Sequence, residues 1–113
     1  MYKFKVIYRT TKTFGKIPLP NANYKTTINS LLESFHKNEI FVIIDNGDEE
    51  QLKYFKDNNF DYIVSSLGNF QSYILSLNIA KTSDCDIIYF CENDHLHLPN
   101  QKNLTQVLFL LIR

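Results

Sequence analysis

Glu92 and Asp94 stand two positions apart, where the apolar run from Asp86 to Phe90 gives way to Cys91-Glu92-Asn93-Asp94. In an extended segment such residues point to the same side, so their carboxylates can share a hard divalent cation. A cation held there would neutralise a diphosphate and stabilise it as a leaving group. Acidic residues at strand ends also form turns and cap helices, and the spacing alone leaves both readings open. His95 and His97 follow directly. His-x-His occurs in zinc sites, but without a conventional ligand pattern around it a structural or solvent-facing role is the expectation.

Three further polar clusters have the same setting. Arg9-Thr10 follows Val6-Ile7-Tyr8, Asp45-Asn46 follows Phe41-Val42-Ile43-Ile44, and Gly68-Asn69 follows the segment Asp61 to Ser65. Asp45 can accept hydrogen bonds from a ribose hydroxyl or a base N–H, and Asn46 both donates and accepts. Asp-Asn-Gly is equally a turn signal. Arg9 can contact phosphate or stack on a base, or simply lie in solvent. Gly68-Asn69 allows close backbone approach before a helix whose N-terminus receives an anion. Neither a Gly-x-Gly-x-x-Gly motif nor a phosphate-loop Lys is present.

The elements that must carry these clusters follow from hydrophobic periodicity. Tyr2 to Tyr8 passes from alternating to continuously apolar and predicts a strand covered on both faces. Thr10 to Asn23, with one Gly and two Pro, predicts a long loop. Tyr24, Ile28, Leu31, Leu32 and Phe35 form one helical stripe over Tyr24 to Phe35. Ile40 to Ile44 reads as a strand. The acidic run Asp48-Glu49-Glu50 starts a helix with Leu52, Tyr54 and Phe55 inward, ended by Asn58-Asn59. Asp61 to Ser65 is a third strand and Asp86 to Phe90 a fourth. Between them a helix over 71–81 turns Tyr73, Ile74, Leu77 and Ala80 inward. Leu104 to Ile112 reads as a core-packing helix. The alternation predicts an α/β fold with a mostly parallel sheet, in which ligands lie beyond the carboxyl ends of the strands. All four polar clusters fall there.

Composition narrows the function classes. The 113 residues, 44% of them hydrophobic, suit one domain over 1–113 with a core of its own. Twelve Lys and Arg balance twelve Asp and Glu, so the positive field of a nucleic-acid binder is absent. The longest apolar stretch, Val107 to Ile112, is too short for a membrane span. With no apolar leader after Met1, a cytoplasmic location is expected, with Cys85 and Cys91 as buried, inert thiols.

The succession Val6-Ile7-Tyr8-Arg9-Thr10, the helix Tyr24 to Phe35, Phe41-Val42-Ile43-Ile44-Asp45-Asn46-Gly47, Leu67-Gly68-Asn69-Phe70-Gln71-Ser72-Tyr73 and Ile88-Tyr89-Phe90-Cys91-Glu92-Asn93-Asp94-His95-Leu96-His97 resembles the nucleotide-binding half of a GT-A glycosyltransferase of the family-2 type. The resemblance implies a Rossmann-like sheet that binds a nucleoside-diphosphate sugar and transfers the sugar to an acceptor hydroxyl. It implies Mn²⁺ or Mg²⁺ held by Glu92 and Asp94, with Asp94 the main ligand, and base or ribose contact by Asp45. Arg9, Thr10 and Asn46 would line the nucleotide pocket, and Gly68-Asn69 would lie near the ribose or diphosphate. The chain is shorter than such enzymes, and the acceptor-binding half, which supplies the catalytic carboxylate of inverting members, has no counterpart after Leu98. An inactive binding or interaction module of the same fold, completed by a second copy or a partner chain, is therefore the alternative. A nucleotidyltransferase is a third reading, disfavoured by the lack of an early Gly-rich phosphate loop.

Overall fold

The computed structural model describes residues 2–12, 24–92 and 110–111. Strands β1 (Phe4–Thr10), β2 (Ile40–Asp45), β3 (Asp61–Ser65) and β4 (Ile87–Glu92) are mutually parallel, and β5 (Leu110–Leu111) runs antiparallel to β4. The sheet order is β3-β2-β1-β4-β5. Helices α1 (Tyr24–Leu32), α2 (Glu49–Asp57) and α3 (Asn69–Thr82) occupy the connections, with a single 3₁₀ turn at Lys37–Glu39 before β2. This is the α/β architecture expected from the alternation of apolar runs and helical stripes.

Side-chain alternation along the parallel strands divides the interior into two layers. Val6, Tyr8, Val42, Ile44, Tyr89 and Cys91 face α1 and α2, where they meet Ile28, Leu31, Phe35, Phe55 and Phe60. Ile7, Ile43 and Ile88 face α3 and meet Ala80, Leu75 and Ile79. The first layer is rich in aromatic rings, with Phe35 stacked on Tyr89 and Phe55 meeting Tyr8, Tyr24, Tyr54 and Phe60. Such contacts contribute about 0.5–1.5 kcal/mol each beyond area burial.

Several expectations are corrected. The first strand begins at Phe4 and continues through Thr10, because Arg9 and Thr10 keep their register with Ile43 and Ile44 of β2. Helix α1 stops at Leu32, which is exposed, while Thr27 and Ser30 are buried. The Tyr8 hydroxyl lies 2.6 Å from Thr27 Oγ1, and Ser30 Oγ donates to the Thr27 carbonyl, so these polar groups enter the core already paired. In α2, Leu52 is exposed and Gln51 takes the inward place beside Phe55. In α3, Tyr73 is exposed, and the line most buried against the sheet is Ser72, Ser76 and Ala80. Leu110 and Leu111, expected in a helix, form β5; residues 104–109 and 112 of that stretch lie outside the described residues. Both cysteines are free, with Cys91 buried and Cys85 only partly so. Burial pushes the Cys91 thiol well above its ordinary value, which keeps it protonated and unreactive at neutral pH.

Candidate functional site

Connections β1–α1–β2 and β2–α2–β3 extend the sheet to one side of β1, and β3–α3–β4 returns to the other side. The chain thus reverses direction between β1 and β4, and in open α/β sheets this reversal opens a crevice at the carboxyl edge. A pocket of about 330 Å³ lies at that edge. It is lined by Arg9 and Thr10 of β1, Thr11, Asp45, Asn46, Gly68, Asn69, Ser72 and Glu92. Arg9, Thr10, Asp45, Asn46, Gly68, Asn69 and Glu92, singled out in the sequence, therefore share one pocket. Asp94, His95 and His97 lie outside the described residues, as does most of the loop expected from Thr10 to Asn23.

Alternation explains which side chains meet. Ile7, Ile43 and Phe90 belong to the α3 layer, so Arg9, Asp45 and Glu92, two positions further along, point toward the α3 side. Arg9 reaches the first turn of α3, where Nη1 donates to the Asn69 carbonyl at 2.8 Å and to Ser72 Oγ at 2.9 Å. Its Nη2 donates to Glu92 Oε1, and the guanidinium carbon lies 5.5 Å from the Tyr73 ring centroid. Arg9 is thus a bracket joining β1, β4 and α3, and the planar fork of donors is what permits three anchorages at once.

Asp45, which lines the pocket, also holds the turn after β3. Its Oδ1 accepts from Ser65 Oγ and from the Leu67 amide, both at 2.7 Å, and its Oδ2 accepts from the Gly68 amide at 3.0 Å. Asn46 Nδ2 adds a longer contact at 3.5 Å. With the residue only 5% exposed, these bonds largely use the capacity of one carboxylate. Asp45 therefore fixes the 66–68 turn, and hence the approach of α3 to the pocket. Gly68 sits at φ 87, in the left-handed region that other L-residues rarely adopt, and a Cβ built on it would meet none of the described residues within 4 Å. Among the described residues, nothing fills the space over this helix N-terminus.

On the opposite layer Thr10 Oγ1 accepts from Gln51 Nε2 at 3.3 Å, and the Thr11 carbonyl accepts from the same nitrogen at 3.0 Å. Gln51 also closes a reciprocal cap with Asp48: Asp48 Oδ1 accepts the Gln51 amide, and Gln51 Oε1 accepts the Asp48 amide. Gly47 is required beneath it, since a Cβ there would fall 2.3 Å from Ile44 Cγ2 and 2.7 Å from Gln51 Oε1. Asn46, at φ 51, makes the turn out of β2. Its amide donates to the Ser65 carbonyl, and its own carbonyl accepts from the Lys12 amide.

Sequence reasoning missed Thr11, Gln51, Ser72 and Tyr73. The Asp48-x-x-Gln51 capping box was visible and marks Gln51 as anchored at a helix start. Ser72 and Tyr73 gave no comparable signal.

Among the described residues, the pocket lining carries one guanidinium and two carboxylates. A bound diphosphate would need additional positive charge or the displacement of a carboxylate. The described residues alone do not make a cation site: Glu92 is engaged by Arg9, Asp45 is tied to its turn, and no group of three His, Cys, Asp or Glu comes together among them. Among the described residues, no helix is long and apolar enough to cross a membrane. A scan against protein-family models and a search of curated proteins both return no match.

Proposed function

We propose that this chain is the donor-binding half of a GT-A-type glycosyltransferase, which takes up a nucleoside-diphosphate sugar at the carboxyl edge of its sheet for transfer of the sugar to an acceptor hydroxyl. One observation carries the reading. Residues from four separate chain segments, three chosen on sequence as nucleotide contacts and the fourth, Glu92, as a metal ligand, converge on a single pocket at the strand-order reversal. That is where α/β folds of this kind place nucleotides. The pocket volume falls at the lower end of the range for small-molecule sites.

In this reading Thr11 and Asn46 supply polar contacts for the nucleoside, Thr10 ties the pocket wall to Gln51, and Arg9 and the first turn of α3 face the diphosphate. Asp45 acts by holding the turn that shapes this wall. A divalent ion would supply charge neutralisation of the leaving diphosphate. Because Glu92 is paired with Arg9, Mn²⁺ or Mg²⁺ dependence requires Asp94.

Neither described carboxylate of the pocket is poised as a general base, since Asp45 is sealed in its turn and Glu92 faces a guanidinium. This favours, as a second reading, a binding module of the same fold that holds the donor without turning it over.

A thermal-shift panel of UDP, GDP, dTDP and CDP, with Mn²⁺ or with EDTA, tests the proposal. Binding to the native state stabilises it by about 2.7 kcal/mol at a hundredfold excess of ligand over Kd. One diphosphate should raise the midpoint selectively. No shift with any of the four, with or without metal, would remove the donor-site reading.

A further inference from the structure

We propose that Glu92 serves as an internal anion that occupies Arg9 in the ligand-free protein and is displaced from it by the diphosphate of an incoming ligand, rather than serving as a metal ligand. The inference rests on the donor-binding reading for the identity of that anion. Its own basis is the geometry of the Arg9 bracket.

Arg9 is held from two sides that are not equivalent. Nη1 is fixed by the Asn69 carbonyl and Ser72 Oγ, both on α3, so the guanidinium stays in place whatever happens to Glu92. The Tyr73 ring adds a further support. Nη2 donates to one carboxylate, at Glu92 Oε1. The Arg9 side chain is 12% exposed, whereas that of Glu92 is 42% exposed. Release therefore costs the two partners differently: Glu92 can turn to water at the pocket mouth, while Arg9 stays and presents its vacated donor to the pocket that both line. A phosphate oxygen replaces a carboxylate oxygen well at such a fork.

Charge supports the exchange. With Glu92 on Arg9 and Asp45 alongside, the described residues of the lining hold no spare positive charge for a polyanion. Freeing Arg9 supplies it. The two roles of Glu92 then predict opposite signs. Removing a competing anion tightens metal-free binding of a phosphate ligand, and removing a metal ligand weakens metal-dependent binding. A partly exposed ion pair contributes up to about 1 kcal/mol, so its removal should tighten binding about fivefold.

Calorimetric titration of inorganic pyrophosphate and of UDP, each in EDTA and in Mn²⁺, into the full chain, Glu92→Gln and the double variant Arg9→Met/Glu92→Gln separates these outcomes. The proposal expects Glu92→Gln to bind both ligands about fivefold more tightly in EDTA, with the gain lost in the double variant. Equal or weaker metal-free binding by Glu92→Gln overturns it. A loss confined to Mn²⁺ makes Glu92 a metal ligand, which overturns the exchange and leaves donor binding standing. Tighter pyrophosphate binding with no nucleotide preference supports the exchange and overturns the donor reading. Should Glu92→Gln fail to fold, the Arg9 guanidinium resonances of the unaltered protein give the answer. Saturable shifts on pyrophosphate addition support the exchange, and unmoved resonances overturn it.

Discussion

Cation–carboxylate pairs join the β1 and β4 segments at both ends of these neighbouring strands, and the two pairs differ in every respect that matters for function. At the amino edge Lys3 Nζ lies 2.8 Å from Asp84 Oδ2, with side chains 63% and 80% exposed. At the carboxyl edge Arg9 meets Glu92 with side chains 12% and 42% exposed, and Arg9 also bonds the first turn of α3. The first pair is screened by water and adds little beyond the backbone contacts around it, such as the Lys3 amide on Asp86. The second lies where loops and a helix start converge, so the same chemistry becomes part of a pocket wall. Position relative to strand direction, more than the identity of the charges, separates an incidental surface pair from a candidate site.

The largest test of this contrast is Asp45→Ala at the carboxyl edge. It leaves the Leu67 and Gly68 amides without their acceptor, and urea denaturation should show a loss of about 3 kcal/mol. Asp45→Asn, which keeps the shape and one acceptor, should lose about 1–2 kcal/mol. If both variants were as stable as the parent, the turn would not depend on this carboxylate.

Arg9→Met comes next, with an expected loss of about 2 kcal/mol by the same measurement, because Glu92 can be solvated while the Asn69 carbonyl and Ser72 lose a charged donor. A loss no greater than that of Lys3→Ala would erase the distinction between the two edges.

Between the edges, in the middle of β1, burial pushes the Tyr8 phenol well above its ordinary 10.0. The folded state therefore retains a proton that the unfolded chain releases, so the native state is at no disadvantage below pH 10.0 and loses stability as pH rises above it. Denaturation midpoints should fall from about pH 9 to about pH 11, with a Tyr8 contribution of ~1 kcal/mol. Tyr8→Phe should flatten that part of the decline.

The smallest effect belongs to the amino edge. The hydrogen bond from Lys3, and after it the Lys3 charge, hold the Asp84 carboxyl below its ordinary 3.8. Whatever this pair contributes is present above pH 3.8 and is lost as pH falls through the lower folded value. In Lys3→Ala the Asp84 titration, followed by carboxyl-carbon NMR, should return to the ordinary range with no measurable change in denaturation midpoint.

Much of the framework is legible in the amino-acid sequence. The runs Ile40 to Ile44 and Asp61 to Ser65 are strands as read, and Asn58 ends α2 as read, because continuous apolar runs and strong turn residues leave few alternatives. Inward faces were harder to read. Leu52, Leu32 and Tyr73 were expected inside on hydrophobicity and are exposed, while Gln51, Thr27, Ser30 and Ser72 are buried. Each buried polar residue has its partners in another element or in its own helix turn, and periodicity carries no information about such partners.

What the sequence by itself determined is the order of strands and helices, and the placement of polar residues directly after apolar strands, since both follow from local periodicity and turn chemistry. Tertiary structure alone decided what those polar residues touch. Arg9 finds Glu92 across 83 positions of chain because β1 and β4 are neighbours in register, and Asp45 reaches the turn after β3 because β2 and β3 are. Strand order and register set these distances, and the free energy that selects them is summed over the whole sheet and both of its layers, beyond the reach of any short stretch of residues.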